Sequence, residues 1–162
     1  MSVLITAATN SAAFQLARIL NTEDICFASD IDIPVFPGKR FLKFPSTDCS
    51  SFIHEVLKIC LDNQIVEIYP LLHDEIIEFS KSRQLFEEFD IKLVIPSMKW
   101  IETRLNDLPF LSTNLFVLID GNVCAGNIAK ESLQLLNEEN GIFQWEFKNN
   151  QLIFSSFSIG YA

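Results

Sequence analysis

Basic residues are scarce in this chain: 12 Lys and Arg stand against 21 Asp and Glu in 162 residues, a net charge of −9. A nucleic-acid-binding surface needs clustered positive charge, and here the basic residues are scattered, so no nucleic acid is expected as partner. No apolar run reaches the about 20 residues that span a bilayer, so no membrane partner is expected either. The opening MSVLITAATNSAAF lacks the basic n-region of a secretory signal, and the expected location is cytoplasmic. Cys26, Cys49, Cys60 and Cys124 form no CxxC pair and are expected as reduced, small apolar residues. His54 and His73 have no Cys or His at ligand spacing, so no metal site and no cofactor are expected. The dinucleotide fingerprint GxGxxG, the phosphate loop GxxxxGK[ST] and the serine nucleophile elbow are all missing. No internal repeat or low-complexity segment is present.

What is present starts with VLITAATNSAA at residues 3–13. Val3, Leu4 and Ile5 form an apolar run without polar alternation, the pattern of a strand buried on both faces. A small polar turn follows at residues 6–9, and Asn10 or Ser11 caps a helix through its side-chain oxygen. Ala13, Leu16, Ala17 and Leu20 recur at helical spacing. A buried strand, tight turn and packed helix open a parallel α/β sheet.

Further strands are predicted at 25–29, 41–44, 65–69 and 91–95, the one at 41–44 near an edge. The four apolar ones, at 3–6, 25–29, 65–69 and 91–95, are expected as parallel neighbours with the first central. Pro34, Pro37 and Gly38 keep residues 31–39 out of a helix. A helix capped by Thr47 or Asp48 carries the stripe Phe52, Ile53, Val56, Leu57 and Cys60. Asp74 and Glu75 open the next helical segment, where carboxylates favour the positive helix end. Lys81 and Arg83 fall in mid-segment and divide it into two short helices, and Ser97 caps another over 100–105. The expected fold class is α/β, a Rossmann-like doubly wound parallel sheet over residues 1–105.

Residues 106–162 read as a small α+β tail. It has a polar link at 106–114, a strand at 115–119, a turn at Asp120-Gly121, a helix at 127–137 stopped by Gly141, and a closing β-hairpin. In the hairpin Phe143, Trp145 and Phe147 alternate with polar residues, Asn149-Asn150 turns the chain, and residues 152–159 return with Phe157.

Small molecules bind open α/β sheets beyond the carboxyl ends of the strands, near the switch in strand order. The candidate ligand-binding residues there are Thr9, Asn10, Asp30, Asp74 and Ser97, with Asn10 beside a helix N-terminus that can meet an anion. Asp30 ends the second strand, where a ribose-binding carboxylate would sit, but Ala7-Ala8-Thr9-Asn10 replaces the glycines that admit a pyrophosphate. The pairs Asp30/Asp32 and Asp74/Glu75 could serve general acid–base chemistry only with shifted pKa values in a cleft, and read rather as caps and loop charges. No catalytic residue is identified. Phe143, Trp145, Phe147 and Phe157 are candidate interface residues, through self-association or partner binding, unless the hairpin folds back onto its own domain.

The stretch IVEIYPLLHDEIIEFSKSRQLFEEFDIKLVIPS carries a family resemblance. Its ordered motifs are Pro70 after a strand, Asp74-Glu75, Arg83, Phe86-Glu87, a strand at 91–95 and Pro96-Ser97; Asp30, Pro45 and Asp48 fit upstream. In this it resembles the pre-ATP-grasp N-terminal domain of the ATP-grasp superfamily, closest to the carbamoyl phosphate synthetase large-subunit group. The resemblance covers residues 2–100 and departs at the first turn, where that group commonly has glycine. It implies a Rossmann-like platform without the ATP-binding lysine, the glycine-rich loop or the magnesium ligands of the later domains. The tail resembles at best a remnant of the ATP-grasp metal-site hairpin, with Phe154-Ser155-Ser156-Phe157-Ser158 where carboxylate and amide would stand. The resemblance implies a non-catalytic binding or interaction module. One alternative is the substrate-platform subunit of a split ATP-dependent carboxylate–amine ligase, partnered by a separate ATP-grasp subunit. Another is a small-molecule or nucleotide-binding Rossmann-like protein. A homodimer is the further partner expected.

Overall fold

The apolar runs of the first half become largely buried strands, and a partly exposed RFLK strand joins them at one edge of the sheet. They are β1 (Ser2–Ile5), β2 (Ile25–Ser29), β3 (Arg40–Lys43), β4 (Ile65–Tyr69) and β5 (Lys92–Leu93). The structure is a computed structural model that describes residues 1–104, 114–128, 133–134 and 136–160. The five strands form one parallel sheet in the order β3-β2-β1-β4-β5, with Val3 opposite Ile25 on one side and Glu67 on the other. Every residue of β1 is buried, as its central place requires. The strand expected at 91–95 shrinks to two paired residues: β5 is outermost and pairs with β4 alone, and Val94 and Ile95 are buried without joining the ladder.

Helices flank this sheet: α1 (Ser11–Leu20), α2 (Phe52–Asp62), α3 (His73–Lys81) and α4 (Arg83–Glu87). Of the two caps open for α1, Asn10 is the one used; its Oδ1 accepts from the Ala12 N–H at 2.9 Å. For α2 the structure corrects the expectation: neither Thr47 nor Asp48 is the N-cap, because the chain turns through residues 46–51 and the helix starts after Ser51. Ser82 separates α3 from α4. The step from β2 to β3 carries no helix, as Pro34, Pro37 and Gly38 dictate.

The chain divides into two compact units, Met1–Leu93 with Ile159–Ala162, and Val94–Ser158. The second unit holds α5 (Met98–Arg104) and the strands β6 (Leu115–Ile119), β7 (Asn122–Gly126), β8 (Gly141–Lys148) and β9 (Gln151–Ser156). These four strands form an antiparallel sheet in the order β7-β6-β8-β9. Its core gathers Trp100, Phe116, Leu118, Leu133, Leu136 and Phe143, with the Trp100 and Phe143 rings edge to face at 5.3 Å. Strand β7 was not foreseen: it lies at the edge of the sheet, and NVCAG has no large alternating side chains to mark it. Gly141 opens β8 rather than stopping a helix, and a Cβ there would lie 3.0 Å from the Pro96 ring. The returning strand expected at 152–159 ends at Ser156; beyond it Phe157 donates its N–H to the Ile142 carbonyl at 2.8 Å. The link expected at 106–114 lies outside the described residues except for Asn114, as does Leu105. Much of the helix expected at 127–137 also lies outside them; Leu133, Gln134 and Leu136 adopt 3₁₀ geometry.

Candidate functional site

All strands of the first sheet run the same way, so the segments leaving β1, β2 and β4 share one edge. The strand order reverses at β1, which places the switch between β1 and β4. Thr9 and Asn10 follow β1, Asp30 follows β2, and Asp74 stands in the first turn of α3 after β4. Thr9, Asp30 and Asp74 are exposed, and Asn10 is half-buried with its side chain engaged in capping α1. The turn carrying Thr9 is pinned from both sides, the Ala8 N–H donating to the Ala28 carbonyl at 3.0 Å and the Asn10 N–H to Ala7 at 2.8 Å. Ser97 belongs to the second unit. Its hydroxyl donates to Glu139 Oε1 at 2.6 Å and accepts from the Trp100 N–H at 3.2 Å, which caps α5 as expected.

The residue at this edge that sequence reasoning passed over is Glu75. The sequence points to Asp74, yet Glu75 is the buried member of the pair, 3 % exposed. It stands four residues before Phe79 and one before Ile76, on the stripe α3 turns inward; that spacing was the available signal. The Thr6 hydroxyl, fully buried at the end of β1, donates to Glu75 Oε2 at 2.5 Å and accepts from the Leu71 N–H at 2.9 Å. Leu72 is the N-cap of α3 and adds a backbone hydrogen bond to the carboxyl, the N3-to-N-cap half of a capping box. Burial pushes the Glu75 pKa up to about 7, against the Thr6 and Leu72 hydrogen bonds, and the neighbouring charges of Asp30 and Asp74 push the same way. That effect ties Asp30, Asp74 and Glu75 to one locality. Beside it, Thr47, Asp48, Asp74 and Glu78 line a shallow depression. The edge is therefore acidic, and it suits a neutral or cationic group better than the anion expected beside Asn10. Among the described residues no group of three or more His, Cys, Asp or Glu is placed to hold a metal ion. Among the same residues no helix is long and apolar enough to cross a membrane.

The expected interface residues differ in placement. Phe143 is fully buried in the core of its own unit, so the structure removes it from any exposed surface. Trp145 is partly buried against that core, and its indole N–H donates to the Asn127 carbonyl at 3.1 Å. Phe157 is half-buried, and Phe147 is 67 % exposed. The gradient has a simple cause: β6 pairs with β8 only as far as Gln144, and beyond it β8 pairs with β9 alone.

No protein-family model matches the chain, and no curated protein matches it.

Proposed function

We propose that this chain is a non-catalytic binding module with a Rossmann-like, pre-ATP-grasp-like platform, taking a small neutral or cationic ligand at the carboxyl edge of β1 and β4. The observation that carries this reading is the acidic edge around β1, where Asp30 follows β2, Asp74 follows β4 and Glu75 is buried at the same end of the sheet. Open α/β sheets bind ligands at the reversal of strand order. The sequence supports a role without ATP chemistry, since it lacks the phosphate-binding lysine and glycine-rich loop of the family it resembles. The test is a thermal-shift panel of amines, amino acids and neutral polyols against equally sized anions. A stabilising amine or neutral compound that no longer stabilises Asp74→Asn supports the reading. A response confined to anions overturns it, as does a magnesium–ATP site of micromolar affinity by calorimetry.

Self-association through the outer end of β8 is a second reading, favoured by Phe147 at 67 % exposure. Light scattering at micromolar concentration checks it. The reading expects a mass above the 18.5 kDa of one chain that Phe147→Asp returns to monomer. A monomer in both proteins refutes it.

A further inference from the structure

Parallel strands are usually joined by a helix that covers them. Residues 30–39 make the step from β2 to β3 without one. Aromatic rings pack there instead: Phe14 on Phe27 at 5.0 Å, Phe27 on Phe41 at 5.6 Å and Phe36 on Phe41 at 5.7 Å. They leave a hollow of about 440 Å³ between α1, β2 and the loop, floored by Phe14, Ala17, Ile25 and Phe27 and flanked by Arg18 and Lys39. That volume lies in the range of small-molecule sites.

The charges on this hollow stand out against the rest of the chain. Residues 33–47 hold Lys39, Arg40 and Lys43 and no acid, in a protein of net charge −9. Arg40 and Lys43 are neutralised, by Asp24 at 3.0 Å and Asp32 at 2.8 Å. Arg18 and Lys39 form no ion pair among the described residues. The Lys39 ammonium instead lies over the aromatic floor, 4.4 Å from the Phe14 ring centre and 5.8 Å from that of Phe27. It is held there by a tight turn: the Lys39 N–H donates to the Phe36 carbonyl at 3.3 Å, with Pro37 and Gly38 at the two central positions and Gly38 at φ +77°. Two unneutralised cations thus flank an apolar floor, with Glu23 the acid on the rim.

We propose that this hollow binds a small organic anion with a flat apolar body, an aromatic carboxylate or aryl phosphate. Its charged group meets Arg18 and Lys39, and its apolar body lies against the half-buried Phe14, Ala17 and Ile25. The site is independent of the acidic edge beyond β1, and it selects the opposite charge.

The test is an amide-resolved NMR titration of the full chain with indole-3-acetate and, separately, phenyl phosphate. Tryptamine serves as the cationic control. At least one anion is expected to give saturable shifts at Phe14, Ala17, Arg18, Ile25 and Lys39 with a Kd below about 1 mM. The arm that responds says whether carboxylate or phosphate is preferred, and tryptamine gives no such shifts. Arg18→Glu and Lys39→Glu should each weaken binding at least tenfold at an unchanged melting temperature. Both side chains are exposed, and Lys39→Gln, which keeps the apolar stem, serves if Lys39→Glu melts early. The proposal is overturned if neither anion moves these amides by about 10 mM, if tryptamine binds as well, or if the charge-reversed variants bind like the parent.

Discussion

Glu75 is a carboxyl held away from water and answered by the Thr6 hydroxyl and the Leu72 backbone N–H. Because its folded pKa is raised to about 7 from 4.5, the native state binds more protons than the unfolded state between those values. Stability therefore falls as pH rises through that interval, and above it the full cost of the buried charge is carried. Glu75→Gln keeps an acceptor for Thr6 and removes the charge. It is expected to raise unfolding free energy at pH 8 by on the order of 1–3 kcal/mol and to change it little at pH 5. Urea denaturation at the two pH values checks this, and a variant weaker than the parent at pH 8 would refute it. The thiols divide by the same physics. Cys26 and Cys60 are buried, and burial pushes the Cys60 thiol up to about 12, while Cys49 and Cys124 are exposed. Native protein should accordingly titrate two thiols with Ellman's reagent within minutes and the other two only after denaturation.

Where helices give way to strands, the chain uses left-handed residues other than glycine: Asn21 before β2, Gln64 before β4 and Asp90 ahead of β5. A left-handed residue with a side chain costs about 1–2 kcal/mol, and glycine returns about 0.5–1 of that as chain entropy. Gln64→Gly should therefore stabilise by about 0.5–1 kcal/mol in thermal melts. Gly126→Ala should do the opposite, by about 2 kcal/mol or more, because its Cβ would lie 2.3 Å from the Leu115 carbonyl oxygen. These elements also show what could be read in advance. Strands 25–29 and 65–69 were legible to the residue, because an unbroken apolar run bounded by turn residues has few other uses. β7 was not, since an edge strand needs no apolar alternation and its pairing comes from Leu115–Ile119, distant in character. Gly141 looked like a helix stop because a glycine after a helical pattern usually is one; its contact with Pro96 is a tertiary fact. For the site, the edge bearing Thr9, Asn10, Asp30 and Asp74 followed from strand order, whereas the choice between Asp74 and Glu75 depended on how α3 is rolled against the sheet.

At the scale of the molecule, charge is the dominant imbalance: a net −9, with attraction between acids and bases in pairs such as Arg40–Asp24, Lys43–Asp32 and Lys81–Glu78. All three are exposed, and pairs of that kind contribute at most about 1 kcal/mol each. Mutual repulsion of the acids should outweigh them. Raising NaCl from about 20 to about 200 mM is then expected to raise the melting temperature by a few degrees. A fall in melting temperature over the same range would show that attractive pairs govern the native charge distribution instead.

The carboxyl enclosed between Thr6 and α3 also makes unfolding a chemical reaction with the buffer. Near pH 6 the folded molecule carries a proton on Glu75 that the unfolded chain gives up, so roughly one proton per molecule enters solution on melting. The heat absorbed in a calorimeter then includes the buffer's own heat of protonation. Scans in phosphate, cacodylate and imidazole at one pH should yield apparent enthalpies that fall on a line against that heat. The slope of the line counts the protons released, and Glu75→Gln should flatten it.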